Sequence, residues 1–227
     1  MFVGHVAVAF VGKRVEPEIS LGTLLLASML PDVLWPIFTM AGIEYTRKLE
    51  ETESHVFEVP ISHSLLMVAI WGALFAGGYL LLRRVRHHQL STRGALILFA
   101  AVLSHWVLDA IANKHAIAPG AHNYVGLRLW DSFPATLIVE GGFWLAAMII
   151  YVRATRAKNW AGTIAFWLVV AFITLAWVAN IRTGPPPPEK VSGSLIFFSL
   201  LIAWAYWMNR VRPFEATGSS SKAIGSS

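Results

Sequence analysis

Residues 94–113 read GALILFAAVLSHWVLDAIAN, a continuous apolar run that carries one histidine and one aspartate. About 20 apolar residues are enough for an α-helix to cross the hydrocarbon core of a bilayer. Only helices and closed barrels satisfy their backbone hydrogen bonds in lipid. A barrel strand would alternate apolar and polar residues, and the apolar stretch 21–30 does not. We therefore predict that 94–113 spans a membrane as a helix.

The rest of the chain repeats this pattern, with apolar runs separated by short polar loops. The further runs lie at 20–42, 61–82, 133–152, 160–180 and 191–209. They predict an all-α, polytopic integral membrane protein with about six transmembrane helices, preceded by a short N-terminal half-helix at 2–12. Residues 1–212 are assigned to a single membrane domain, with a proline-rich extended spacer at 184–188. The Gly/Ser-rich end, 213–227, is assigned to a disordered tail.

The composition agrees with a membrane protein and excludes several classes of site. Hydrophobic residues make up 56% of the chain and charged residues only 14%, against about 25% charged residues in soluble domains. The chain has no cysteine, which excludes disulfides, thiolate metal sites and cysteine nucleophiles. The net charge of +5 comes from basic residues placed between the apolar runs, so we expect no nucleic-acid partner.

The basic residues also predict an orientation. If 20–42 is the first span, twelve of the 18 Lys and Arg residues fall on the side that holds both termini. Cytoplasmic loops carry the excess of positive charge. We therefore expect both termini in the cytoplasm.

Ionisable residues inside apolar runs are the candidates for a functional site, because burying a charge in lipid is costly. They are Asp32, His105, Asp109 and Glu140, with His63 at the start of the second run and His5 before the first. At 1.5 Å rise per residue, Asp32 and His105 lie roughly 18 Å above the cytoplasmic face. Asp109 comes to about 24 Å, Glu140 to about 20 Å and His5 to about 12 Å, while His63 falls near the outer surface.

Each candidate also has a structural explanation. His105 and Asp109 are four residues apart and share a helix face, so they form either a ligand pair or an internal hydrogen-bonded pair. Asp32 follows Pro31, where a broken helix indicates a site or a simple kink beside a water pocket. Ser62 before His63 is the residue type of a helix N-cap. The loop histidines show no ligand spacing, and those in the basic loop are expected in solvent: His55, His115 and His122, then His87 and His88.

The order of four short motifs resembles the LexA-regulated, membrane-bound metal-dependent hydrolase family. The motifs are Gly4-His5, Leu30-Pro31-Asp32, Ser62-His63-Ser64, and Ser104-His105 followed by Asp109. The family's PDxDH motif departs here to Pro31-Asp32-Val33-Leu34-Trp35. Its HRGxTHS motif departs to a stretch in which Glu58 replaces the first histidine. With fewer ligands, a single-metal site is expected.

The resemblance implies a multi-pass protein of the bacterial inner membrane with an intramembrane metal-dependent hydrolase site. Imidazoles and carboxylates bind zinc or a similar divalent ion, which activates water. Asp109 or Glu140 is the candidate general base, and a lipid or lipid-linked phosphate is the expected amphiphilic substrate. A proton- or metal-coupled transporter and a non-enzymatic membrane scaffold are the alternatives. The expected ligands are His5, Asp32, Glu58, His63, His105 and Asp109.

Overall fold

The computed structural model of the protein describes residues 1–44, 47–48, 57–121, 123–183 and 191–215. In these ranges the chain forms nine α-helices, one 3₁₀ turn (Leu129–Asp131) and two short antiparallel strand pairs. The helices are α1 (Phe2–Val15), α2 (Leu21–Ser28), α3 (Leu30–Met40), α4 (Pro60–His63), α5 (Leu65–Val85), α6 (Thr92–Ala112), α7 (Phe133–Ala154), α8 (Trp160–Thr183) and α9 (Val191–Val211). The strand pairs are β1 (Arg47–Lys48) with β2 (Phe57–Glu58), and β3 (His115–Ala116) with β4 (Tyr124–Val125).

The all-α polytopic architecture is confirmed. Helices α5 to α9 are each long and apolar enough to cross a membrane, and α2 with α3 forms a sixth candidate span bent by 59°. Serines at the N-caps begin several of these helices: Ser91 Oγ accepts from Gly94 N–H, and Ser132 Oγ accepts from Ala135 N–H. The predicted spacer 184–188 and the tail beyond 215 lie outside the described residues. Within 213–215, Phe214 pairs with Thr155 beyond the end of α7.

Helix α1 is the predicted half-helix, and it runs inside the bundle rather than across the bilayer. Its 14 residues give a length of about 21 Å, which is shorter than the hydrocarbon core of about 30 Å. Its start lies beside the end of α6, where Gly4 approaches Leu108. Its other end lies beside the start of α6, where the Arg93 guanidinium donates to the Val15 carbonyl at 2.9 Å. The two helices are therefore antiparallel, and His5 points into the protein near the end of α6.

The bend between α2 and α3 is the predicted break in the first span. Pro31 stands at the start of α3, and its ring nitrogen has no hydrogen to donate to a carbonyl of the preceding turn. Ser28 ends α2, so its carbonyl is among the last four of that helix, which have no partner within it. The break therefore places Asp32 in the first turn of a new helix and leaves a backbone acceptor beside it.

The segment after α6 folds back over the end of that helix. Leu127 N–H donates to the Ala110 carbonyl at 2.7 Å. Gly126 lies so close that an added Cβ would stand 1.8 Å from the Asn113 carbonyl oxygen. The loop can therefore close over α6 only with glycine at position 126.

The variant Gly126→Ala should destabilise the protein by about 1–3 kcal/mol, because the added methyl group overpacks a rigid backbone contact. Thermal unfolding in detergent measures the change. Gly142→Ala is the matched control, since no atom lies within 4 Å of the Cβ position in α7. Equal melting temperatures for the two variants would show that the loop does not need this close approach.

Candidate functional site

Side chains from four separate helices meet at one end of the bundle, where α6 ends and α5 begins. His5 comes from α1, Asp32 from α3, His63 from α4, and His105 with Asp109 from α6. His105 is fully buried, while Asp32 remains partly accessible. The convergence that the depths predicted is therefore present for Asp32, His105 and Asp109, and it is absent for Glu140. His5 and His63, which the depths placed lower and higher, also join the cluster.

Asp109 joins two of the imidazoles. Its Oδ1 lies 3.1 Å from His5 Nε2, and its Oδ2 lies 3.2 Å from His105 Nε2. The His5 and His105 rings stack nearly parallel, with centroids 3.8 Å apart. The amino nitrogen of Met1 also contacts Asp109 Oδ1, at 2.5 Å. The predicted shared face of His105 and Asp109 is therefore real, and both carboxylate oxygens have nitrogen neighbours.

Asp32 joins His105 to His63 on the other side. Asp32 Oδ1 lies 3.5 Å from His63 Nε2 and 3.8 Å from His105 Nε2. Two groups of three potential metal donors result, and His105 belongs to both. The first consists of His5, His105 and Asp109, and the second of Asp32, His63 and His105.

A backbone contact orients His105. Its Nδ1 lies 2.8 Å from the Ser28 carbonyl oxygen, which can only accept, so Nδ1 carries the hydrogen. In the neutral ring the lone pair is then on Nε2, the atom that faces Asp32 and Asp109. Nε2 has no hydrogen-bond partner among the described residues, although Asp109 Oδ2 lies 3.2 Å from it. This tautomer is the one that metal-ligating histidines adopt when a carbonyl holds the other nitrogen.

His63 is held by three groups on its own side of the site. Ser62 Oγ lies 2.7 Å from His63 Nδ1. Glu44 Oε1 accepts from the Ile61 and Ser62 N–H groups at 2.7 and 3.0 Å, and the Trp71 indole donates to the Ile61 carbonyl. The possible role of Ser62 as an N-cap is wrong, because Val59 caps α4 and Ser64 stands before α5. Glu44 instead binds the free N–H groups of this short helix, and the sequence patterns did not single it out.

The donor spacing fits a divalent metal ion. Ligands of a tetrahedral ion at about 2.1 Å are about 3.4 Å from one another. The nitrogen–oxygen separations within the two groups run from 3.1 to 3.8 Å. A neutral His105 also presents a lone pair to two carboxylates, an arrangement that a cation between them would stabilise. Each of the two groups, His5 with His105 and Asp109 and Asp32 with His63 and His105, therefore has donor types and spacing in which a divalent ion could bind.

Two cavities adjoin the cluster and share part of their walls. The larger, about 370 Å³, touches His5, Asp32, His63 and Asp109 and continues between α8 and α9. The smaller, about 260 Å³, lies under residues 115–121 and Tyr124 of the loop that follows α6. Val59, His63 and His115 line both cavities. We call the larger cavity the inner chamber and the smaller cavity the outer chamber.

His115 is a site residue that the sequence patterns missed. It lies in β3, its ring centroid is 6.3 Å from that of His63, and it lines both chambers. Burial lowers the pKa of His115 to about 4, so the ring is neutral at pH 7. The sequence indicated only that the spacing of His115 does not make it a ligand, and His115 belongs to neither donor group. Its position depends on the fold of the loop, which follows no helical or strand period.

The remaining candidates lie apart from the donor groups or outside the described residues. Glu140 in α7 is fully buried; its Oε2 accepts from the Trp130 indole at 3.2 Å, and Oε1 has no hydrogen-bond partner among the described residues. His87 and His88 are exposed, as predicted. His55, His122 and the side chain of Glu58 lie outside the described part of the chain, so the predicted ligand role of Glu58 stays a prediction.

The fold and the cluster together define a multi-pass helical membrane protein with a buried His/Asp site. The chain belongs to the YdjM inner membrane protein family, whose profile matches residues 1–184. That range contains all five clustered donors and both halves of the bent span. The match supports the membrane-protein part of the resemblance in the sequence, and the hydrolase part stays a prediction. Searches of curated proteins and of solved structures each found no match.

Proposed function

We propose that the protein is a metal-dependent hydrolase that acts at the His/Asp cluster in the outer half of the inner membrane. The observation that carries this proposal is the His105 imidazole. Its Ser28 contact turns Nε2, which has no hydrogen-bond partner among the described residues, toward two carboxylates. Two groups of three donors that share His105 are more than one internal ion pair needs. A bound divalent ion, with zinc as the expected species, would supply a water nucleophile near neutral pH.

The residues of this chain then have separate roles in the proposed reaction. His5, His63 and His105 are the imidazole ligands, and Asp32 and Asp109 supply the negative charge that balances a divalent ion. The partly accessible Asp32 borders the inner chamber, where a substrate would arrive. Asp109 is the carboxylate that acts as the general base instead, if Asp32 alone balances the ion. Glu140 is a weaker candidate for that role, because its one hydrogen-bonded oxygen faces Trp130.

The chambers lie in one half of the bundle, at the end where α1 and α9 begin and α6 ends. This position suits a reaction that begins and finishes on one side of the membrane. A transporter with alternating access also opens to one face at a time, so flux measurements distinguish the two functions.

Elemental analysis of the purified protein, together with a hydrolysis screen, tests the proposal. We expect about one divalent ion per chain and chelator-sensitive turnover of an amphiphilic ester or phosphate. Protein that holds no ion and gains no thermal stability from added zinc would overturn the metal assignment. Ion or proton flux in vesicles without turnover would instead identify a transporter.

Single-cysteine labelling tests the proposed orientation of the site. The natural chain has no cysteine, so His88→Cys and Asn123→Cys each introduce one exposed thiol at opposite ends of the bundle. In intact cells, a membrane-impermeant maleimide should label position 123 and leave position 88 unlabelled until the cells are opened. The reverse pattern would place the cluster toward the cytoplasm.

A further inference from the structure

The inner chamber changes character along its length. Near the cluster its walls are His5, Asp32 and Asp109, whereas its far wall is built from α8 and α9. The side chains there are Phe172, Ala176, Phe197 and Phe198, with Asn180 and Ser194 as the polar members. No lysine or arginine lines the chamber among the described residues. One end therefore suits a polar, reactive group, and the other suits hydrocarbon.

The apolar part of the chamber reaches the lipid-facing surface of the bundle. Phe172 lines the chamber and is 58% exposed, which places it at the rim between α8 and α9. Its ring centroid lies 6.2 Å from that of Phe197, which in turn lies 5.7 Å from that of Phe2 near the cluster. A row of aromatic rings thus leads from the bilayer to the site.

The outer chamber continues the site in the other direction. His63 and His115 separate it from the inner chamber, and residues 115–121 and Tyr124 of the loop that follows α6 cover it. Its wall includes Ser64 and Tyr124, and it lies at the membrane-distal end beyond the start of α5. A polar head group held here would lie next to the metal donors on one side and near the aqueous surface on the other.

We propose that the substrate is a lipid phosphate whose hydrocarbon chain enters the inner chamber between α8 and α9, while its head group lies in the outer chamber beside His63 and His115. At about 30 Å³ for each water-sized group, the 370 Å³ of the inner chamber holds about a dozen carbon atoms of one chain. Phosphate oxygens suit both a divalent ion and imidazole N–H donors. This inference rests on the proposed hydrolase function and adds the substrate class and its direction of entry.

Photo-crosslinking in vesicles tests the chamber without using activity. The probe is a long-chain alkyl phosphate with a diazirine in mid-chain, added to phosphatidylcholine vesicles that contain the full-length protein. Phe198 lines the chamber and is only 8% exposed, whereas Leu200 on the same helix is 66% exposed to lipid. The ratio of adducts at Phe198 to adducts at Leu200 measures how much of the probe's hydrocarbon chain lies inside the chamber. Because both residues meet the same vesicle, the ratio does not depend on how much probe enters the bilayer.

Ala176→Phe fills the chamber from α8, and Ala171→Phe is the matched control on the lipid-facing side of the same helix. We expect Ala176→Phe to lower the adduct ratio at least about tenfold, while Ala171→Phe leaves it unchanged. Both variants should retain wild-type metal content, because neither residue belongs to the donor groups.

The outcomes separate the two proposals. An adduct ratio that Ala176→Phe does not change would overturn the chamber assignment, whatever the metal content. An excess of unlabelled alkyl phosphate should suppress the Phe198 adducts more strongly than an excess of the matching alkyl alcohol. Equal suppression would overturn the phosphate head group. A wild-type protein that shows the predicted ratio but holds no metal would leave the chamber in place and refute the hydrolase.

Discussion

His105→Ala should remove most of the bound metal, with at least about a 100-fold loss in affinity. His105 belongs to both donor groups, so its replacement removes a ligand from each group. Mutation of a residue that only hydrogen-bonds to a metal ligand already lowers metal affinity about 10–100-fold. Loss of a ligand that two donor groups share should lower it further. Metal content of the purified protein, followed by zinc titration of the apoprotein, measures the effect.

Two further variants separate ligation from folding. His105→Asn places an amide N–H donor where Nδ1 meets the Ser28 carbonyl but has no atom at the position of Nε2, so it should fold with wild-type apoprotein stability and still lose metal. His88→Ala changes an exposed histidine and should leave metal content unchanged. Wild-type metal content in His105→Asn would refute the assignment of His105 as a ligand.

Asp32→Asn should abolish the stabilisation that metal gives the wild-type protein. An ion present at 100 times its dissociation constant stabilises the folded state by about 2.7 kcal/mol, and chelator removes that stabilisation. Asparagine keeps the size of aspartate but lacks the charge that balances the ion. Thermal unfolding in detergent, with and without chelator, should show a large shift for wild type and none for the variant.

The stability of the apoprotein distinguishes a ligand from an ion-pair partner. If Asp32 is a ligand, its buried charge is uncompensated when the metal is absent, so Asp32→Asn should be as stable as wild-type apoprotein or more stable. If Asp32 instead neutralises a permanent charge, its loss should destabilise the fold by about 3–5 kcal/mol with or without chelator. Asp131→Asn is the control, since Asp131 pairs with Arg128 on the surface, where ion pairs contribute little.

Hydropathy predicted the spans because lipid permits few solutions for the backbone. The six apolar runs match α2 with α3 and α5 to α9 to within a few residues. Pro31 predicted the break because it cannot continue the hydrogen bonding of α2. The half-helix was predicted because the N-terminal apolar segment is too short to cross a bilayer and is followed by the charged residues Lys13 and Arg14.

Several of the clustered donors could also be predicted from the sequence, because ionisable residues are costly to bury in lipid and are therefore rare in apolar runs. A helix rises by a constant amount per residue, so residues on different helices can be compared by depth before any packing is known. This comparison brought Asp32, His105 and Asp109 together, but it also placed Glu140 at a similar depth, and Glu140 lies apart from the donor groups. It placed His5 about 12 Å below Asp109, so the contact between them was found only in the packing of α1 against α6.

The partners of these donors needed the tertiary structure. The Ser28 carbonyl that orients His105 is a backbone atom released by a bend, and no residue type marks it. Glu44 and His115 act from loops, where contacts depend on how the chain returns and not on a repeating period. The chambers are spaces between helices, set by packing angles that hydropathy does not encode. Composition and periodicity thus determined which groups are buried and at what depth, while packing alone decided which atoms face one another.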